Sequence, residues 1–413
     1  MRFIQPKDNF EGEFTFPGDK SVTHRAIMLN AIAQGQAVVK NPSLGEDCLA
    51  TYLAMEKLGA KIERTDEGII VTGADTLINA QEIDCKNSAT TMRLLSGLLA
   101  GQGVEATLYG DSSLSKRPME RVAEPLRKLG AKISTTDGKP PVFVQKSSIL
   151  GGEIFLKIPS AQVKSAILLA GLGSENPTKV TESEITRDHT ERMLKNMGAK
   201  IIKNGKETVI SKSRLMATDV EVPADISSAS YFMALGALKG KVVCKNIGVN
   251  PTRTGILTAF DKLGVKYFLS NTRTVCGEEI ADITVEKSAL NAIELKADAT
   301  LIDELPLIAL LCAFANGKSK IWGAEELQYK ESNRILATAQ LINSLGGVCL
   351  PTKDGFVIDG HGQLTGGTAE SFSDHRIAMT GAVGLLASAF GGELHGDTVC
   401  AVSFPDFFEK LGV

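Results

Sequence analysis

One short phrase recurs six times along the chain: a helix-like segment ending in Leu or Met, then a glycine, then a strand-like run. It reads EKLGAKIE at Gly59, RKLGAKIS at Gly130, KNMGAKII at Gly198, DKLGVKYF at Gly264, NSLGGVCL at Gly346 and EKLGV at Gly412. Successive glycines are 71, 68, 66, 82 and 66 residues apart. A glycine just past a helix supplies the left-handed residue that ends it. Most of the runs that follow lead to turn residues, such as Asp66-Glu67-Gly68, Asp137-Gly138, Asn204-Gly205 or Asp354-Gly355, and then to a second β run. That is the pattern of a hairpin. One or two such phrases are ordinary helix ends, but six at near-constant spacing are a repeat.

A second series runs in phase with the first. Six loops of small or charged residues each open an apolar helix: GDKSVTHRAIMLNAI, KNSATTMRLLSGLLA, PSAQVKSAILLAG, ADISSASYFMALGAL, IDELPLIALLCAFA and SDHRIAMTGAVGLLA. With Lys20, Ser88, Ala161, Ser228, Glu304 and His375 as markers, the spacings are 68, 73, 67, 76 and 71. Each repeat therefore reads strand, helix, strand, helix, hairpin, a βαβαββ unit. A chain of 413 residues exceeds one ordinary core. The expected fold is α/β (α+β), with two domains of three units each and a discontinuous second domain. The boundary is expected near Glu221-Val222-Pro223-Ala224. Residues 19–223 form one domain, and 1–18 plus 224–413 the other, because the first strand precedes the first helix and crosses back.

Composition narrows the function. Net charge is −3 and aromatic residues make up 5%, so neither a polyanion binder nor a stacking platform for single-stranded nucleic acid is expected. The seven cysteines are scattered and form no C-x-x-C pair, and the five histidines form no H-x-x-x-H. A disulfide framework and a zinc site are not expected. The N-terminus has no basic stretch followed by an apolar one, and no run of 18 apolar residues occurs. The expected location is the cytoplasm, away from membranes.

The helix starts carry the ionisable residues. A helix N-terminus presents unpaired N–H groups and a partial positive charge, which suits phosphate and carboxylate. Lys20, Ser21 and Arg25 cluster at the first, where the bland alternative is a capping Ser with solvated cations. The Walker A pattern is not matched there, which excludes a P-loop NTPase. Asn87 to Arg93 is a capping stretch followed by a cation, and Ser160-Ala161-Gln162 follows Pro159. Arg117 precedes Pro118 and is held extended, as an anion clamp or as a plain surface loop. Arg187 stands before a further helix, in Thr186-Arg187-Asp188-His189. Asp303 opens an almost wholly apolar helix, as a candidate acid/base or an ordinary cap. Lys330-Glu331-Ser332-Asn333-Arg334 sets two cations around one carboxylate, for which a surface ion pair is the plain alternative. Asp374-His375-Arg376 crowds an acid, an imidazole and a guanidinium at the last. Six such starts in phase point to a cleft that gathers anions.

These phrases, in this order, resemble the enolpyruvyl transferases, and within them the 5-enolpyruvylshikimate-3-phosphate (EPSP) synthase family. The resemblance rests on PGDKSVTHRA, NSATTMRLLSGLLAG, GDSSLSKRPM, PSAQVKSAILLAGL, TRDHTERML, DISSASYFMALGAL, IDELPLIALLCAFANG, YKESNRI, SDHRIAM and SFPDFFEKL, and covers essentially the whole chain. It implies two domains of three βαβαββ units, an inside-out α/β barrel-like fold, with the active site in the interdomain cleft. It implies transfer of the enolpyruvyl group of phosphoenolpyruvate to the 5-hydroxyl of shikimate 3-phosphate, releasing phosphate through a tetrahedral adduct in aromatic amino-acid biosynthesis. By position, Lys20, Asn87, Ala89, Arg117, Gln162, Lys330, Arg334 and Arg376 meet phosphoenolpyruvate. Lys20, Ser21, Arg25, Ser160, Ala161, Gln162, Arg187, Asp303 and Lys330 meet shikimate 3-phosphate. Asp303 and Glu331 are the implied acid/base pair, with Lys20 and His375 as further catalytic candidates. No cofactor and no metal are implied. The partners are the two small substrates, and a monomer is expected. Subtracting Asp303 and Glu331 from Lys20, Arg25, Arg117, Arg187, Lys330, Arg334 and Arg376 leaves five positive charges for two anionic substrates.

Two departures from the family pattern stand out. Ala89 occupies the usual second glycine of G-N-x-G-T, a change that resembles the glyphosate-tolerant class and implies weak inhibition by glyphosate. Val402 stands where other members carry a Lys. The sister family acting on UDP-N-acetylglucosamine uses a Cys before the R-P pair, and GDSSLSKRP has none. A non-catalytic anion binder on the same scaffold is the rival from another class.

Overall fold

The computed structural model describes residues 1–74 and 76–413. They divide into two compact units. The first contains Gly18–Pro223 and Thr274–Glu278; the second contains Met1–Pro17, Ala224–Arg273 and Glu279–Val413.

The first unit holds six helices: α1 (Lys20–Ala31), α2 (Glu46–Lys57), α3 (Ala89–Gln102), α4 (Glu120–Lys128), α5 (Ala161–Gly171) and α6 (His189–Asn196). Three four-stranded sheets share one plan. A parallel pair carries an apolar helix between its strands, and an antiparallel hairpin completes the sheet. In the second sheet Ala80–Asp84 lies parallel to Ala106–Tyr109, with Lys139–Gln145 and Lys132–Thr136 beyond. In the third, Gly152–Leu156 lies parallel to Thr178–Glu182, followed by Glu207–Ile210 and Ile201–Asn204. The first sheet takes its parallel strand from far along the chain. Val220–Glu221 pairs with Gln36–Lys40, next to Gly68–Thr72 and Lys61–Thr65.

The second unit holds α7 (Ile226–Lys239), α8 (Gly255–Leu263), α9 (Leu305–Phe314), α10 (Arg334–Ser344), α11 (His375–Ala387) and α12 (Phe407–Leu411). Glu11–Phe14 runs parallel to Lys241–Gly248, so the first strand of the chain joins this unit, as expected from its place before the first helix. Glu294–Lys296 likewise pairs with Asn316–Trp322. The sixth repeat departs from the plan. Gly367–Glu370 lies parallel to Gly392–His395, but no hairpin follows, and Arg2–Ile4 satisfies the open edge antiparallel. The six sheets remain separate and close into no barrel among the described residues.

The helix ends behave as the repeat requires. Gly59, Gly130, Gly198, Gly264, Gly346 and Gly412 all have positive φ, between 68° and 102°. One helix per repeat is apolar on nearly every face: all ten residues of α9 are buried, as are all thirteen of α11. Close packing of α3 on α5 needs a residue without a side chain. A Cβ on Gly97 would lie 2.0 Å from the Ala166 carbonyl oxygen. The sheets cover these central helices, so their N-terminal ends carry the polar residues of each repeat.

Candidate functional site

In the first unit, Asp19 rather than Ser21 caps α1, its Oδ1 accepting the Val22 N–H at 2.9 Å. Lys20 is drawn to Asp47 of α2, Nζ to Oδ2 2.9 Å. Arg25 is buried one turn further along. Its Nη1 donates to the Ser21 carbonyl (2.8 Å), its Nε to Thr190 Oγ1 (2.6 Å) and its Nη2 to Ser165 Oγ (2.7 Å). These partners are neutral. Burial pushes the Arg25 guanidinium down to about 10, Glu191 and Asp19 partly offset that, and Arg187 adds to the fall. Arg25 and Arg187 therefore sit within electrostatic reach of each other.

The other two apolar helices of this unit are joined at their starts. Ser88 caps α3, accepting the Thr91 N–H at 3.1 Å, and Ala89 is its first residue, 4% exposed. Ser160 caps α5, accepting the Val163 N–H at 3.4 Å, with Ala161 and Gln162 following. Arg93 of α3 donates to Gln162 Oε1 at 2.7 Å and to the Pro118 carbonyl at 3.2 Å, while Gln162 Nε2 donates to Thr90 Oγ1 at 2.9 Å. Arg117 has extended backbone (φ −78°, ψ 143°), as its place before Pro118 requires, and donates to Asn87 Oδ1 at 3.3 Å. Arg187 stands just before α6, in the turn after Thr186.

In the second unit, Glu304 occupies the cap position of α9, so Asp303 is left to other partners. Lys330 donates to Asp303 Oδ1 at 3.1 Å. Arg376 Nη1 donates to the Asp303 carbonyl oxygen at 3.1 Å and to Glu304 Oε1 at 3.3 Å. Arg334, 1% exposed, meets Asp374 through Nε at 2.7 Å and Glu331 through Nη2 at 2.7 Å, with Asp303 3.6 Å from its Nη1. Asp374 also caps α11, accepting the Arg376 N–H at 2.9 Å, and His375 is the buried first residue of that helix. Burial alone would lower both guanidinium groups. Asp374 and Glu331 instead raise Arg334, and Asp303 and Glu304 raise Arg376. Burial would raise Asp374, but Arg334 holds it below the usual carboxylate range. Behind these groups, Arg253 donates to Asp225 and Ser227, and Ser227 donates to Glu304.

Sequence reasoning set only Asp303 and Glu331 against the named cations, whereas Asp47 also lies on Lys20, Glu304 on Arg376 and Asp374 on Arg334. It left Arg93 as a bare helix cation and Thr190 as part of a helix start, and it missed Asp47, Ser165 and Arg253. Asp47 lies in the first turn of α2, where an acid looks like an ordinary response to the helix dipole. Long-range contacts give these residues a role: Lys20–Asp47, Arg93–Gln162, Arg25 with Ser165 and Thr190, and Arg253 with Asp225 and Ser227.

Residues 4–411 match the family model for EPSP synthase (3-phosphoshikimate 1-carboxyvinyltransferase). The chain is 42% identical to a 3-phosphoshikimate 1-carboxyvinyltransferase of Thermoanaerobacter sp. (strain X514), over 99% of this chain and 98% of the relative. It is 44% identical to the protein of that name from Alkaliphilus metalliredigens, over 98% of this chain and 97% of the relative. Among solved structures, an EPSP synthase from Acinetobacter baumannii superposes with a TM-score of 0.88 at 42% identity, covering 99% of this chain and 97% of the other.

Proposed function

The chain belongs to the EPSP synthase family, the 3-phosphoshikimate 1-carboxyvinyltransferases, and we propose that it transfers the enolpyruvyl group of phosphoenolpyruvate to the 5-hydroxyl of shikimate 3-phosphate. The observation that carries this reading is the family match over residues 4–411 at more than 40% identity to named relatives. In the reaction, a proton is delivered to the methylene carbon of phosphoenolpyruvate while the 5-hydroxyl loses its own. The hydroxyl oxygen bonds to the central carbon, giving a tetrahedral adduct. That adduct loses a proton from the methyl group and expels phosphate, restoring the double bond.

We assign shikimate 3-phosphate to Lys20, Ser21, Arg25, Ser160, Ala161, Gln162 and Arg187, with Asp303 and Lys330 on its ring hydroxyls. Phosphoenolpyruvate is assigned to Lys20, Asn87, Ala89, Arg117, Gln162, Lys330, Arg334 and Arg376. The surroundings of Arg25 support the first set: burial and the nearby Arg187 lower its pKa, and its hydrogen-bond partners are neutral, so a bound anion stabilises its charge. Asp303 and Glu331 are assigned proton transfer with Lys20, and His375 is assigned a place beside them. Asp303 and Glu331 each touch a cation, Lys330 at 3.1 Å and Arg334 at 2.7 Å respectively, which fixes the orientation of both carboxylates. Six of the seven cysteines are buried and burial raises their thiols, which disfavours the sister reaction that relies on a Cys. The described residues include no helix long and apolar enough to cross a membrane, and a cytoplasmic monomer free of metal and cofactor is proposed.

Release of inorganic phosphate tests the reading. It is expected only with both substrates together, and binding of shikimate 3-phosphate without any turnover would favour an anion-binding protein instead. The proposal extends to inhibitor response. The Ala89 methyl sits at the first position of α3, fixed by the Ser88 cap, where the family's glycine leaves room. Glyphosate is expected to inhibit weakly, and Ala89→Gly to tighten inhibition. Tight inhibition of the native enzyme, unchanged in Ala89→Gly, overturns this.

A further inference from the structure

Lys164, two residues beyond Gln162 on α5, is 0% exposed yet charged. Its Nζ lies 2.9 Å from Glu182 Oε2, 2.8 Å from Glu191 Oε1 and 3.3 Å from the Thr186 carbonyl oxygen. The Glu182 contact is an aligned hydrogen bond, whereas Glu191 is met as an ion pair. Glu182 uses its other oxygen to accept the Thr186 N–H at 3.1 Å and also takes the Thr186 hydroxyl. Lys164 and Glu182 thus grip Thr186 at both backbone groups, and the next residue is Arg187. On the same helix Ser165 meets Arg25 and Thr190, and Thr190 meets Arg25 again. Glu191, the largest favourable influence on the Arg25 charge, is held by Lys164.

Three buried ions are a costly way to pack two helices. Each costs several kcal/mol to desolvate, and apolar side chains of similar size often pack as stably. Stability alone does not account for them. What they supply is geometry: one ammonium ties α5, the Glu182–Thr186 segment and α6 to each other; Arg187 follows that segment directly, and Arg25 of α1 donates to Ser165 of α5 and Thr190 of α6.

We propose that Lys164 is a positioning residue that holds Arg187, through Thr186, and the Arg25 partners Ser165 and Thr190 in place for the anionic groups of shikimate 3-phosphate, and so sets the affinity for that substrate. This rests on assigning shikimate 3-phosphate to those arginines. Its test separates the two claims. In Lys164→Met the KM for shikimate 3-phosphate is expected to rise by about 10-fold or more, with the KM for phosphoenolpyruvate and kcat within about 3-fold, since one charge-assisted contact corresponds to about a decade of affinity. The double variant Lys164→Met/Glu191→Gln removes one charge of each sign, keeps Glu182 as acceptor for the Thr186 N–H and hydroxyl, and is expected to recover thermal stability while the raised KM persists. Recovery of that KM together with stability, or an equal rise in both KM values, overturns the proposal. Calorimetric binding of shikimate 3-phosphate to native protein and both variants reads the positioning directly. Equal affinities overturn it even if turnover is normal. If the native protein binds the ligand but turns nothing over, the reaction falls and the calorimetric comparison still decides the role of Lys164. If Lys164→Met does not fold, the double variant carries the comparison alone, and native affinity in it overturns the proposal.

Discussion

Arg25 and Arg93 of the first unit are held differently from Arg334 and Arg376 of the second. In the first, Arg25 and Arg93 donate to hydroxyl, amide and carbonyl oxygens, and burial leaves Arg25 less basic than usual. In the second, Arg334 and Arg376 lie on carboxylates and are more basic than usual, and Asp303, Glu304, Glu331 and Asp374 outnumber Lys330, Arg334 and Arg376. A guanidinium with neutral partners gains when a dianion arrives. One already on a carboxylate gains less, but it keeps that carboxylate ionised and oriented. On this difference we propose that anion capture falls chiefly to the first unit and proton chemistry chiefly to the second.

Asp303→Asn probes the second role most severely. It keeps the shape and removes the proposed base, so kcat is expected to fall on the order of 10³-fold, the range of positioned acid/base groups, with the KM for shikimate 3-phosphate changing only a few-fold. A KM effect with kcat intact would move Asp303 to the binding side of the comparison. Arg334→Leu probes the internal balance. It leaves Asp374 buried beside Glu331 with no guanidinium, and a loss of about 3 kcal/mol in urea unfolding is expected. Little loss of stability with a large rise in the KM for phosphoenolpyruvate would instead make Arg334 a ligand-binding group first.

The sixfold repeat was readable because it rests on local rules: a glycine with positive φ after each helix, turn residues in the hairpins, and apolar helices between paired strands. The strand exchange at Glu11–Phe14 followed from its place before α1, but the replacement of the sixth hairpin by Arg2–Ile4 did not. A three-residue strand has no periodicity to read, and its partner lies some 390 residues away in sequence. The same limit applied to the site. Lys20, Arg25, Arg117 and Asp303 sit in conspicuous helix-start phrases, whereas Asp47, Lys164, Ser165 and Thr190 look like ordinary helix residues. Their roles come from contacts such as Arg25–Thr190, 165 positions apart, which no local pattern encodes.

Arg25→Lys sharpens the first half of the comparison. Lysine keeps the charge but cannot span Thr190, Ser165 and the Ser21 carbonyl at once. The KM for shikimate 3-phosphate is expected to rise by about 30-fold, with the KM for phosphoenolpyruvate little changed. An unchanged KM would mean that charge alone, without the fork, suffices.

The smallest expected effect concerns His24, which marks the first unit as the more acid-sensitive of the two. Its ring lies wholly inside α1's packing, with Nδ1 2.6 Å from Thr51 Oγ1. Thr51 continues to Thr91 at 2.7 Å, and Thr91 to the capping Ser88 at 2.8 Å. Burial pushes the imidazole from 6.5 down to about 3, with Asp47 pulling it up and Lys20 and Arg25 pushing it further down. Below pH 6.5 the unfolded chain therefore takes up a proton that the folded chain refuses. Stability is full above that pH and falls as pH drops, by about 1.4 kcal/mol per pH unit from this group. In the second unit the lowered Asp374 acts at more acid pH, because its stabilisation is complete above the ordinary carboxylate value of 3.8. Urea unfolding at pH 6.5 and 5.5 should show the loss in the native chain and a flatter response in His24→Asn, which can keep the bond to Thr51. An equal loss in both proteins would place the acid sensitivity elsewhere and remove this difference between the units.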